Sequence, residues 1–143
     1  MKTEKGVMIA AYKQDRYPRF VVLNRSKNWE GWELPKGHLE DDDYEKTVRL
    51  ELQEEAGIAE EQIEEIEELG HTVEWKYQDD GEEIKREYRG FILRLSEDAL
   101  IDVKQKPHDE HDQGFFFRQE DAESLLTHDN NIEVLNRAVE QID

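Results

Sequence analysis

Residues 43–57 constrain the fold more than any other stretch of this chain. Tyr44, Val48, Leu52 and Ala56 recur at every fourth position, which lines one stripe of an α-helix. Lys46 and Glu54, midway between stripe residues, break the alternation that a strand would need. Asp42 or Asp43 stands where an N-cap belongs, and Gly57 where a left-handed residue closes a helix. One amphipathic helix must lay its stripe on something, and the segments around it read as strands. Residues 7–12 and 20–23 are short apolar runs separated by a polar turn containing Pro18, which predicts a hairpin. Residues 31–37 read as a short strand ending in a Pro/Gly loop, and 34–40 form the loop before the helix. Residues 71–77 alternate, 79–82 turn, and 84–95 resume with Phe91, Ile92 and Leu93 at the centre, a second hairpin. A last strand falls at 114–118. Two closing helices follow at 120–126 and 132–142, the second striped by Ile132, Leu135, Val139 and Ile142. The acidic stretch 60–69, with Ile63, Ile66 and Leu69, reads as a short helical turn or a solvated connection.

The 143 residues show no repeat and no linker, so residues 1–143 are expected to form one domain. Without cysteine there is no disulfide framework, thiolate zinc site or cysteine nucleophile. No apolar run approaches the ~20 residues that cross a bilayer, and residues 1–6 are not followed by a signal-peptide core, so a soluble, cytoplasmic chain is expected. There are 37 acidic and 19 basic residues, a formal charge of −18. A surface of that sign repels long nucleic acid and anionic membrane. A polyanionic substrate would need a local basic patch or divalent cations. The recurring hydrophobic clusters argue against disorder. Adaptation to a high-salt cytoplasm is a further reading of the acidity.

Glu51, Glu54 and Glu55 lie at i, i+3 and i+4, on one face of the helix. Like charges so placed repel by a few tenths of a kcal/mol per pair, about 0.2–0.5, so the helix gains nothing from them. A hard divalent cation, Mg²⁺ or Mn²⁺, turns such a face into a binding site. Spacing alone is weak evidence, because Glu61, Glu64 and Glu65 repeat it in the acidic run that follows.

Context separates the two triplets. The loop Leu34-Pro35-Lys36-Gly37-His38-Leu39-Glu40 precedes the first, and Glu51-Leu52-Gln53-Glu54-Glu55-Ala56-Gly57-Ile58 contains it. Together they resemble the Nudix box, G-x5-E-x7-R-E-U-x-E-E-x-G-U, the signature of Nudix hydrolases. The resemblance implies an α+β fold: a mixed sheet sandwiched between helices, with a loop–helix–loop that holds metal. It implies hydrolysis of a nucleoside diphosphate linked to another group, with Glu51, Glu54 and Glu55 as metal ligands, one of them serving through water as a base. The Gly37 carbonyl is a further ligand by resemblance. Two departures stand out. Gly37 precedes Glu51 by fourteen residues where the family has fifteen, so the early motif glutamate corresponds to Asp42 or Asp43. Leu50 occupies the arginine position, and Arg49 points ~100° away around the helix.

The Pro-Lys-Gly-His-Leu-Glu loop looks most like the diadenosine-tetraphosphate hydrolase branch. That branch places a Glu-His pair before an aromatic strand and an Asp/Glu-Ala pair after it, here Glu110-His111 and Asp121-Ala122, with His108 nearby. Glu110 is thereby implied as an added carboxylate at the metal. Lys36 is suited to meet phosphate as a point charge. Tyr77 and Tyr88, with Trp75 and Trp29, are candidates to stack an adenine, whereas Trp32 reads as packing. Lys85, Arg86 and Arg89 read as charge compensation. The expected substrate is a dinucleoside polyphosphate, and the chain a monomer or homodimer. A nucleoside-triphosphate or RNA 5′-end pyrophosphohydrolase is the alternative enzyme. A non-catalytic nucleotide-binding domain is the alternative outside enzymes, suggested by Leu50 and the short loop.

Overall fold

Strand β1 (Lys2–Gln14) runs through the centre, and its residues 7–11 are buried on both faces. A strand covered on both sides needs helices above and below it. The computed structural model describes residues 1–26, 30–102 and 111–142, with His111 and Asp112 described by backbone alone. Strand β2 (Pro18–Arg25) returns from β1 after a turn in which the Asp15 carboxylate accepts from the Arg16 and Tyr17 amides. The two strands pair only from Tyr12↔Phe20 to Gln14↔Pro18. Beyond that they part. Strand β3 (Gly31–Glu33) pairs with β2, and strand β4 (Lys36–His38) pairs with β1, so Leu34 and Pro35 bridge a fork in the sheet.

Helix α1 (Tyr44–Ala56) follows, then one 3-10 turn (Glu60–Gln62) and the long hairpin of β5 (Ile63–Asp79) and β6 (Glu82–Leu95). Asp80 and Gly81, both at positive φ, close that hairpin, as a primed two-residue turn requires. β6 lies parallel to β1, and β7 (His111–Arg118) antiparallel to β2, which makes a seven-stranded mixed sheet. The stripe Val48, Leu52 and Ala56 packs on Val7, Ile9, Ala11 and Leu93. On the opposite face Val134, Leu135 and Ala138 of α3 (Asp129–Ile142) and Ala122 of α2 (Gln119–Leu125) cover Met8, Ala10, Phe20 and Ile92. This is the α/β/α sandwich expected.

The structure differs from the sequence reading at two places. Residues 36–38, expected in a loop, form β4 and bond to β1. Residues 63–69, expected as a turn or connection, begin β5. Breaks in register between Ile63 and Glu65 and between Glu68 and Thr72 explain the disguise. The first lets Ile63 and Ile66, an odd number apart, both pack toward the α1 face.

Of the two cap candidates, Asp43 caps α1, its carboxylate accepting from the Lys46 amide at 3.0 Å. The short loop before it turns through Asp41 and Asp42, both left-handed, and Thr47 ties the loop down by accepting from the Glu40 amide and donating to the Asp43 carbonyl. Asp43→Ala is therefore expected to cost about 1 kcal/mol of unfolding free energy in urea titration. Asp42→Gly, which suits a positive φ, should cost nothing.

Candidate metal and phosphate site

The candidate site lies where the fork brings β4 against α1. A Cβ placed on Gly37 would lie 2.0 Å from the Glu51 carboxyl carbon, so the Glu51 carboxylate rests directly on the Gly37 backbone. Beneath it the pattern repeats: a Cβ on Gly6 would lie 2.3 Å from the Gly37 carbonyl oxygen and 2.6 Å from the Tyr88 ring. Glu51, Gly37, Gly6 and Tyr88 thus form a column through the sheet. Glu51 is 8% exposed and Glu55 5%, while Glu54 is half-buried. Two carboxylates one helical turn apart, ~6 Å, at an effective dielectric of ~20, repel by about 3 kcal/mol. A dication reverses that sign.

The candidate donors, the α1 carboxylates and the Gly37 carbonyl, are all oxygen, which would suit a hard cation. Among the described residues no three His, Cys, Asp or Glu side chains converge as a ready-made cage. Glu110 and His108 lie outside the described residues, as does Trp29, and the His111 side chain is not described.

Lys36 stands beside this column. Its ammonium lies 3.4 Å from Glu33 Oε1 and 5.4 Å from the centre of the Trp75 ring. Trp75 and Tyr77 are half-buried on the same sheet face. Tyr77 is fixed by its hydroxyl, which lies 3.1 Å from Glu4 and accepts from Arg86 at 3.0 Å. The Arg86 guanidinium holds the Glu4 carboxyl below its ordinary range, against the effect of burial. Tyr88 is 2% exposed, with its ring edge on Trp75 and its hydroxyl 3.3 Å from His38 Nδ1. Burial, opposed by Arg86 and aided by Glu4 and Glu51, pushes its pKa up to about 12. Trp75 and Tyr77 are thus the more open rings, and Tyr88 has the surroundings of a packing residue. Trp32 also packs, edge-on to Phe117.

A family comparison decides what this arrangement belongs to: the NUDIX domain matches residues 2–138. The chain belongs to the Nudix family. It is a hydrolase of phosphoanhydride bonds, from a family that generally uses divalent cations. No curated protein matches it in sequence. Solved structures match throughout. An Ap4A hydrolase from C. elegans shares 20% identity at TM-score 0.71, with 97% of each chain covered. The E. coli dihydroneopterin triphosphate pyrophosphohydrolase shares 19% at 0.78, with 99% of each covered. The NUDIX domain of Shewanella oneidensis NrtR, crystallised with ADP ribose, shares 17% at 0.77, covering 100% of this chain and 90% of that one. At these identities the likeness establishes the fold.

Seen as a Nudix helix, α1 separates its two arginine questions. Arg49 points outward and pairs with Glu45 at 3.1 Å and Glu60 at 3.2 Å. It lines an open groove of about 380 Å³ on the flank of α1, among exposed charges. Leu50, one turn before Glu54, offers that glutamate no charge. The control triplet comes apart: Glu61 lies in the 3-10 turn, while Glu64 lies on β5, 3.5 Å from Arg94. Sequence reading passed over Gly6, which carries no motif, and Glu33, whose signal was a lone acid in an apolar strand.

Two outcomes follow from this geometry. Gly37→Ala should lower kcat by about a hundredfold, since its methyl would displace the Glu51 carboxylate; steady-state kinetics beside a thermal melt checks it. Leu50→Arg should raise kcat by preorganising Glu54, while Arg49→Ala leaves it unchanged. No gain in the first variant, or a loss in the second, would overturn this assignment.

Proposed function

We propose that this Nudix hydrolase is a Mg²⁺- or Mn²⁺-dependent pyrophosphohydrolase of dinucleoside polyphosphates such as diadenosine tetraphosphate, acting in the cytoplasm as a monomer or homodimer. The observation that carries the reading is the contact of Glu51 with Gly37, with Lys36 next in sequence and a Trp75/Tyr77 face beside it. Carboxylates for a metal, one cation and an aromatic surface are the groups that a nucleotide with a long phosphate chain calls for. The PKGHLE loop supports this substrate, and the C. elegans Ap4A hydrolase is among the proteins that share the fold.

Glu51, Glu54, Glu55 and the Gly37 carbonyl would hold the ion. When bound, it neutralises phosphate oxygens and acidifies water. Lys36 donates to a phosphate oxygen and orients the chain. Trp75 and Tyr77 offer their faces to a base, Tyr77 steadied by Glu4 and Arg86. One of the helix carboxylates takes the proton of the attacking water, directly or through a second water. Attack at phosphorus breaks one P–O bond of the anhydride and releases two phosphorylated fragments.

One assay tests this reading. Diadenosine tetraphosphate, nucleoside triphosphates and ADP-ribose are incubated with the protein and Mg²⁺ or Mn²⁺, and products are separated by chromatography. Diadenosine tetraphosphate should be consumed fastest, with no turnover in excess EDTA. Glu54→Gln and Glu55→Gln should each cost about a hundredfold or more, and Glu64→Gln and Glu65→Gln nothing. Turnover undiminished by EDTA, or equal losses in both pairs, would sink the reading. Binding of diadenosine tetraphosphate without products would sink it as well.

A further inference from the structure

Glu33 is 1% exposed in the fork, between Trp32 and Leu34, and no step above uses it. Its two oxygens face different cations: Oε2 lies 3.2 Å from Arg25 on β2, and Oε1 3.4 Å from Lys36 on β4. A fully buried carboxylate is costly to keep, and an apolar residue of similar size would fill the space more cheaply. The Lys36 ammonium also lies 5.4 Å from the centre of the Trp75 ring on β5. It is thereby held between Glu33 of β3 and Trp75 of β5, and it still has N–H donors to spare.

We propose that Glu33 is the positioning residue for Lys36: it fixes the ammonium where a substrate phosphate arrives, next to Gly37, and so sets affinity for the polyphosphate chain. This rests on Lys36 being a phosphate contact, as read above. The competing role is an ion pair that merely ties β3 to β4. The sign of one measurement separates them. Removing a negative charge should by itself tighten anion binding, whereas loss of positioning weakens it.

The test is a double-mutant cycle of Glu33→Gln, Lys36→Met and the pair, with thermal melts of each. The readouts are the affinity for inorganic tripolyphosphate with Mg²⁺, by calorimetry, and kcat and KM for diadenosine tetraphosphate. Glu33→Gln should weaken tripolyphosphate binding by about ten- to a hundredfold, the scale of one charge-assisted hydrogen bond, and raise KM more than it lowers kcat. Placed on Lys36→Met, it should add nothing. Unchanged or tighter binding in Glu33→Gln, or the same loss with and without Lys36, would overturn the proposal. Should Glu33→Gln not fold, Glu33→Asp keeps the charge and draws it back by one methylene. Its smaller loss must also vanish in the Lys36→Met background. Wild-type protein that binds tripolyphosphate but leaves diadenosine tetraphosphate intact would refute the substrate and not the positioning role, and no binding at all would refute the role.

Discussion

Glu51 touches the backbone of Gly37 with no side chain between them, and the rest of the site is arranged around that contact. It exists because β1 and β2 part beyond Tyr12 and Phe20, leaving an edge of β1 free for the three residues of β4. Val7 faces Gly37 across that pairing, and Gly6 next to it carries the Tyr88 ring on the far side. A side chain at either glycine would separate layers that must meet. The Pro-Lys-Gly loop is thus read twice by the fold, once as a strand that fills the fork and once as bare backbone under a carboxylate.

Charge explains why the site needs cations of its own. The basic residues of β6 are engaged with acids: Lys85 with Glu74, Arg86 with Glu4, Arg89 with Glu68 and Arg94 with Glu64. They compensate local acidity on the β5–β6 hairpin, as their abundance in so acidic a chain suggests. Beyond a Debye length of ~8 Å at physiological salt the remaining field is screened, so repulsion of a polyphosphate is mostly short-range. In the proposed function Lys36 and a divalent ion would act within that range, and a polyphosphate arriving already complexed with Mg²⁺ would meet less repulsion still.

Elements whose residues obey one period were legible from the sequence. Tyr44, Val48, Leu52 and Ala56 could only be a helix stripe, and the Asp79–Glu82 turn announced its hairpin. β4 was hidden because Lys-Gly-His has neither alternation nor β-branched residues, and its strand character comes entirely from a partner distant in sequence. The start of β5 was hidden for a different reason. Its register breaks convert a two-residue period into threes, and glutamates are poor strand formers on propensity alone. At the site, motif context picked out the helix carboxylates and Gly37. Glu33 was not visible, because its meaning depends on Arg25 and Lys36 reaching it from two separate strands.

The loss of the motif arginine is tolerable to the fold for the same reason that it matters to the site. α1 is held by its apolar stripe, where Val48 and Leu52 each contribute about 1.5–3 kcal/mol. The Asp43 cap, the Thr47 bridge to Glu40 and the Gly57 amide bonded to Gln53 add to that hold. None of these involves position 50, so Leu50 costs the helix nothing. What an arginine there supplies is orientation of a neighbouring carboxylate, a quantity that stability does not report. Selection on folding is therefore blind to position 50, and only the ease with which Glu54 reaches its working geometry registers the change.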